Sequence, residues 1–370
     1  MKRYGRMIGC VLMCAILLLT AGCTAPAPVN TATPTPAATA APTAETKAYQ
    51  KFSGVFFESF DTITTLIGYA REQETFDREF ARVEALFKHY HQIFDAYNKY
   101  EGINNLWHVN ENAGKEPVKA EKELIDLLLW LKEKQPVTQG KVNVAMGSML
   151  RVWHNYRTVG EKLPAMSELT AAMEHSDFDK IVIDEVNGTV QFLDHDMLLD
   201  LGAVAKGYTV EIVAQYLLQS EMPSFIISAG GNVRCGKAPE DGRTRWGVGI
   251  QDPELTSNNK DVLFISGLSA VTSGDYQRYY EVDNVRYHHL IDPVTLMPGN
   301  YMRSVTVVTE DSGLADLLST TLFLMPYEEG KEFVKTLDGV DAYWVLNDGT
   351  VRYSDGICGM LRSLGVTAYD

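Results

Sequence analysis

The sequence predicts an α+β fold, a single domain with a mostly antiparallel sheet and flanking helices, and three observations carry that reading. Helical periodicity is concentrated early, at Phe76, Phe80, Val83, Phe87 and Phe94 and again at Leu124, Leu127, Leu128 and Leu131. Short alternating runs dominate later, several joined by tight-turn dipeptides such as Asn187-Gly188 and Gly230-Gly231, the local mark of antiparallel hairpins. Helices first and strands afterwards argue for α+β over an alternating α/β chain. From residue 48 to residue 370 no second low-complexity stretch divides the chain, and roughly 320 residues can bury a large core.

What precedes that domain reads as an address. Lys2, Arg3 and Arg6 form a basic start, and Ile8 to Thr20 is an apolar run too short to span a bilayer comfortably. It ends in Thr20-Ala21-Gly22-Cys23, which resembles a bacterial lipobox with Thr20 in place of the usual leucine. On that resemblance residues 1–22 are a lipoprotein signal peptide, Cys23 is the lipidated first residue, and the protein is extracytoplasmic and anchored to the bacterial membrane. Thr24 to Glu45 is rich in Thr, Ala and Pro, so residues 23–47 read as a disordered tether. Cys10 and Cys14 leave with the signal, and Cys235 and Cys358 remain as thiols whose pairing the sequence leaves open. A net charge of −15 speaks against nucleic acid and anionic surfaces as partners.

Within the domain, Val55 to Tyr69 reads as one strand or two paired strands, followed by the phenylalanine-marked helix. The stretch FDAYNKYEGINNLWHVNENAG is polar and loop-like, the leucine run is a second helix, and Lys141 to His154 reads as a shorter third one. Ile181 to Leu193 is a hairpin around Asn187-Gly188, Met197 to Leu201 a buried strand ending, and a helix starts close to Ala203. FIISAGGNVRCG is strand, turn, strand. Further strands are expected at Trp246–Ile250, Leu263–Ile265, Ser269–Thr272, Arg286–Ile291 and Ser304–Thr309. A helix at Leu314–Leu324 and a hairpin around Asn347-Asp348-Gly349 close the chain.

Four stretches carry possible chemistry. In DLGAVAKGYTVE, from Asp200 to Glu211, small residues let backbone approach a ligand and Lys206 brings a point charge beside it. A strand-to-helix junction with unpaired backbone groups suits an anion or a metal; a tightly packed corner with a solvated lysine suits the same residues. Asp316 and Thr320 stand four apart and share one helix face, a carboxylate and a hydroxyl of the kind a hard cation such as Mg²⁺ takes, or an exposed Asp and a back-bonded Thr. His288 and His289 end a strand and point to opposite faces, so one at most serves a given site as a base. Thr272 to Tyr276 is a polar, glycine-containing turn.

DLGAVAKGY, SAGGNVR with Cys235-Gly236, VTSGDYQRYY, YHHLIDPVT and ADLLSTTLF, in this order, resemble the ApbE family of flavin transferases; EGINNLWHVN and the lipobox start fit as well. The resemblance covers essentially the whole domain. It implies an Mg²⁺-dependent FAD:protein FMN transferase that splits FAD, attaches FMN through a phosphoester to a threonine of a target protein and releases AMP. It further implies that Asp316, Thr320 and the Ala203 carbonyl hold the metal and that His289 takes the proton of the acceptor threonine. Asp200, Lys206, Phe60, Tyr97, Ile291 and the turn Val142, Asn143, Val144 would contact the flavin nucleotide. The chain departs from the family pattern at Leu296, often a glycine, at Asn143, commonly an acid, and at Gly313, an acid in some members. The same residues would serve an FAD pyrophosphatase with water as acceptor, whereas a lipoprotein that only binds flavin needs neither base nor metal. By analogy the acceptor is an extracytoplasmic subunit of an Rnf-type or sodium-pumping NADH:quinone reductase complex.

Overall fold

A computed structural model describes residues 47–254 and 258–370; the segments read from the sequence as signal peptide, lipidated Cys23 and tether, up to residue 46, lie outside the described residues. The chain opens on a hairpin, β1 (Gln50–Ser59) and β2 (Thr62–Ala70), in which Ser59 pairs with Thr62 across a two-residue turn. Both turn residues, Phe60 and Asp61, are left-handed at φ 54° and 51°. That geometry matches the twist of paired strands but is strained for phenylalanine. Then come α1 (Gln73–Phe94), α2 (Leu106–Asn110), β3 (Val118–Lys119) and α3 (Lys122–Lys134). The next elements are α4 (Gly147–Val159), α5 (Met166–Met173), β4 (Ile181–Asp184), β5 (Thr189–Phe192) and α6 (Ala205–Gln219). The strands β6 (Phe225–Ala229), β7 (Asn232–Cys235), β8 (Trp246–Gln251), β9 (Asn259–Ile265) and β10 (Ser269–Gly274) follow. Last are β11 (Tyr279–Val282), β12 (Val285–His288), β13 (Met302–Thr309), α7 (Ser312–Phe323), α8 (Tyr327–Val334), β14 (Asp341–Leu346) and β15 (Val351–Tyr353).

Eight strands form one sheet in the order β1-β2-β6-β7-β10-β13-β14-β15, every neighbouring pair antiparallel. Strand alternation assigns its two faces. Val271, Val305 and Val307 point to the side where Ala315, Leu318 and Leu322 of α7 pack. Leu66 and Ile227 lie with Phe87 of α1 and Val210, Val213 and Leu217 of α6. Their sequence neighbours Ala270 and Val308 join Trp246, Val248, Ile250 and Leu263 of the β8–β9 ribbon on the opposite face. The fold class expected from the sequence is thus the one observed.

Several local expectations are corrected. Residues 141–146 are not helical, and the third helix starts only at Gly147. Asn143 accepts from the Ala145 N–H and donates to the Ser176 carbonyl, an Asx turn that competes with helix. Met197 to Leu201 is not a strand; it makes one parallel bridge, Leu198 to Met146. The strand expected over Arg286–Ile291 stops at His288, paired with the unanticipated β11. Thr272 to Gly274 belong to β10 and form no turn. Helices α2, α5 and α8 went unread; they span only 5, 8 and 8 residues, too short for a clear period.

Candidate active site

The site starts where α6 begins. The Asp200 N–H donates to the Val144 carbonyl at 2.9 Å, and the Gly202 N–H to Asp200 Oδ1 at 2.8 Å, so the 142–144 segment and the helix entrance are tied together. Two residues into α6, half-buried Lys206 is followed by Gly207, and a Cβ at 207 would collide with the Cβ of Asp316 and the Ser312 carbonyl. Glycine is what lets α6 and α7 approach here. Gly313 serves the same crossing, since a Cβ there would press on the Tyr208 backbone at 3.3 Å. A side chain at 313 would require its neighbours to give by a few tenths of an ångström.

The close approach buries Asp316 to 6% exposure, with Oδ2 accepting from the Gly207 N–H at 2.8 Å. Burial pushes its carboxyl above the usual range, opposed first by the charge of Lys206. Asn232 of β7 also faces it. Its Nδ2 is buried without an aligned hydrogen-bond partner among the described residues, so its pull on the carboxylate is electrostatic. Its Oδ1 is taken by the Ser312 hydroxyl at 2.7 Å. One turn on, Thr320 does not bond back to its own helix. Its Oγ1 meets Ser273 Oγ at 3.3 Å, and Ser273 Oγ meets Ser319 Oγ at 2.9 Å.

Asp316, Thr320, Ser273 and Ser319 therefore make a patch of oxygen donors, bordered by Asn232 Nδ2, that fits a hard divalent cation. Among the described residues no group of three His, Cys, Asp or Glu side chains could hold a metal. A cation here would take the Asp316 and Thr320 side chains from the protein and fill its shell from backbone and substrate oxygens and water. The residues present fit Mg²⁺, which keeps water and phosphate ligands, better than a metal needing an all-protein cage.

A second group of residues gathers around Tyr97. Asp95 accepts from the N–H groups of Tyr97 and Asn98, from Asn98 Nδ2 and from the Tyr100 hydroxyl, fixing the loop after α1. The Tyr97 hydroxyl donates to Asp200 Oδ2 at 3.0 Å, and its ring, 48% exposed, lies 5.1 Å from that of His154 at 30°. Phe60 packs its ring on Phe87 and His91 and offers its carbonyl to Arg278 at 3.4 Å. Tyr97, Asp200 and the 142–144 segment are thus together; Asn143 is spent on its turn. Ile291 sits 5% exposed in the apolar cluster with Met146, Met149 and Trp153. Leu296 takes the left-handed φ of 59° that glycine would adopt freely, and its carbonyl accepts from Trp153 Nε1 at 2.9 Å.

The two histidines have different fates. His288 Nδ1 accepts from the Leu290 N–H at 3.2 Å, which leaves Nε2 as the donor to the Gly299 carbonyl at 2.8 Å, and its ring meets Phe323 edge-on. Both nitrogens are occupied by structure. His289 Nδ1 is buried with no hydrogen-bond partner among the described residues. Burial, then Arg278, His288 and Arg157, hold this imidazole down to about 3, so it is a neutral ring near pH 7. The sequence did not single out His154, Arg157 or Arg278. They come from α4 and from the loop between β10 and β11, and no local spacing joins them. A separate cavity of about 420 Å³, lined by hydroxyls and amides such as Ser228, Thr272, Gln251 and Thr306, includes none of Asp316, Lys206 or His289.

Residues 60–344 match the ApbE family. The chain is 34% identical over 273 residues to the FAD:protein FMN transferase of Treponema pallidum (strain Nichols), covering 69% of this chain and 74% of that protein. It is 31% identical over 276 residues to the FAD:protein FMN transferase of Klebsiella pneumoniae (strain 342), covering 74% and 84%. Among solved structures, the ApbE protein of Thermotoga maritima is similar at a TM-score of 0.74 and 26% identity, covering 83% of this chain and 98% of that one.

Proposed function

Since the chain belongs to the ApbE family, we propose that it is an Mg²⁺-dependent FAD:protein FMN transferase that attaches FMN to a threonine of its target and releases AMP. The observation that supports this most directly is the buried Asp316 carboxylate, set among hydroxyl oxygens beside Lys206. A carboxylate removed from water costs free energy unless a cation joins it. A diphosphate brings the complementary need, because attack on it requires its oxygens to be neutralised. Asp316, Thr320 and the Ala203 carbonyl would hold Mg²⁺, which supplies that charge when bound.

The chain's own residues account for the rest. Tyr97 offers a flat half-exposed face to an aromatic ring system, held by Asp200. The acceptor hydroxyl oxygen bonds to the phosphorus of the FMN phosphate as the bond to the bridging oxygen breaks, and AMP departs with that oxygen. The hydroxyl proton passes to Nδ1 of His289, which is buried without a hydrogen-bond partner among the described residues.

Incubating the protein with FAD, Mg²⁺ and a candidate acceptor domain tests the reading. Covalent FMN with stoichiometric AMP is the expected result. AMP without labelled protein would identify an FAD pyrophosphatase, and flavin retained unsplit a binding protein. The proposed acceptor is an extracytoplasmic subunit of a membrane redox complex of the Rnf or sodium-pumping NADH:quinone reductase type. Lipid on Cys23 would hold the enzyme at that same surface. Among the described residues no helix is long and apolar enough to cross a membrane.

A further inference from the structure

Resting on the transfer reading above, we propose that His154 is a positioning residue for the flavin: it backs the Tyr97 ring and so fixes the plane on which the isoalloxazine lies. Tyr97 is tied at its two ends, its N–H donating to Asp95 Oδ1 at 2.7 Å and its hydroxyl to Asp200 Oδ2 at 3.0 Å. The hydroxyl lies on the axis about which the phenol turns. That bond therefore places the ring but leaves its plane loosely held, since the last torsion of tyrosine is a broad one. A contact on the face of the ring does fix the plane, and among the described residues the aromatic ring that makes one is His154. The centroids stand 5.1 Å apart with 30° between the planes, a contact pair with no room for a third ring inside it. Tyr97 is still 48% exposed, so the flavin lies on the face turned away from His154.

His154 is itself held. It lies on α4 three residues before Arg157, whose Nη2 stands 3.3 Å from its Nδ1. A guanidinium can only donate, so Nδ1 accepts and the ring proton sits on Nε2. Burial, then the charge of Arg157, hold this imidazole below its ordinary value, while the Asp200 carboxylate pulls it the other way. The ring behind Tyr97 is thus a neutral, flat partner for a phenol. Loop, α4 and the entrance of α6 meet in this one side chain: Asp95 fixes the Tyr97 backbone, His154 the face of its ring and Asp200 its hydroxyl. No step of the transfer runs through His154. Its part lies in binding the flavin ring and not in handling phosphate.

The test separates ring binding from phosphate binding. Full-length protein in detergent is titrated with FAD, with riboflavin, which lacks phosphate, and with ADP, which lacks the flavin. The proteins are wild type, His154→Gln, His154→Ala, His154→Phe, Tyr97→Ala and the double variant Tyr97→Ala/His154→Gln. His154→Gln and His154→Ala are each expected to weaken FAD and riboflavin about 3- to 10-fold, the scale of one aromatic contact, and to leave ADP within about twofold. His154→Phe should return flavin affinity to within about twofold of wild type, since a flat ring again backs Tyr97. In the Tyr97→Ala background His154→Gln should have no further effect, because it acts through that ring. If His154→Ala fails to fold, the glutamine and phenylalanine variants decide. Unchanged flavin affinity, an equal loss for ADP, or additive losses in the double variant would overturn the proposal. So would tighter flavin binding in His154→Ala, which would show the imidazole standing in the flavin's own place. A wild type and variants that follow the expected pattern, with no AMP released from FAD and no acceptor labelled, would overturn the transfer reading and leave the role of His154 standing.

Discussion

Asp316→Asn is the most informative single change, because it removes charge and keeps shape. The Gly207 N–H still finds an oxygen acceptor, and the side chain still fits against α6. In the wild type, burial holds the folded-state pKa of Asp316 above its unfolded value. For a carboxyl raised in this way, the stability it contributes is full below the unfolded pKa and is lost as pH rises through the folded one. At neutral pH without divalent cation the wild type therefore bears the cost of an ionised buried carboxylate, and Asp316→Asn should melt at the same temperature or higher. With Mg²⁺ the order should reverse. A cation at about 100 times its dissociation constant stabilises by about 2.7 kcal/mol. At about 2.1 cal/mol/K of unfolding entropy per residue, a domain of roughly 320 residues gains about 4 °C. The assay is thermal melting with and without Mg²⁺, paired with a Mg²⁺ titration of AMP release. An equal Mg²⁺ shift in the variant, or full AMP release at the wild-type Mg²⁺ requirement, would remove Asp316 from the site. Asp316→Ala is a poorer probe. Helix propensity favours alanine, but the Gly207 N–H would be left buried without an acceptor, at about 1–3 kcal/mol.

His289→Ala should slow FMN transfer by about 10²–10⁴ while FAD binding stays nearly intact, and His288→Ala should lower the melting temperature through its lost Gly299 and Phe323 contacts; the reverse ranking in rate would show the wrong base. The folded pKa of His289 is depressed, so the stability it contributes is full above about 6.5 and lost as pH falls toward about 3. His289→Asn should flatten the acid limb of a melting-temperature profile, and an unchanged limb would contradict its burial as a neutral ring. Gly207→Ala, forcing a Cβ into Asp316, should cost about 1–3 kcal/mol in chemical denaturation and abolish the Mg²⁺ shift; an unperturbed variant would mean the α6–α7 crossing is looser than described. Cys23→Ser should release the protein from membranes with its transferase activity intact, checked by fractionation after a salt wash, and retention on the membrane would end the lipid-anchor reading.

Much of this protein was legible because its signals are local. The phenylalanine spacing of α1 and the dipeptides Asn187-Gly188 and Gly230-Gly231 each concern residues a few positions apart, where backbone geometry and periodicity act directly. The ordered motifs identified the family for the same reason, each being a short run with its own chemistry. Asp316 and Thr320 could be put on one face of a helix from their spacing, whereas the alternation used to separate His289 from His288 does not reach His289, because β12 ends at His288. Tertiary structure alone decided that the helix is buried on nearly every side, that Gly207 is the contact which shields Asp316, and that Ser273 and Ser319 complete the oxygen patch. It also decided that Asn143, read as a ligand contact, serves an Asx turn, that the His154 ring lies on Tyr97, and that Arg278 reaches the Phe60 carbonyl. Such meetings depend on how α4, the β1–β2 turn and the loop before β11 pack against one another. A side chain's spacing along its own element constrains which way it points, but the charge and burial it meets there come from distant parts of the chain.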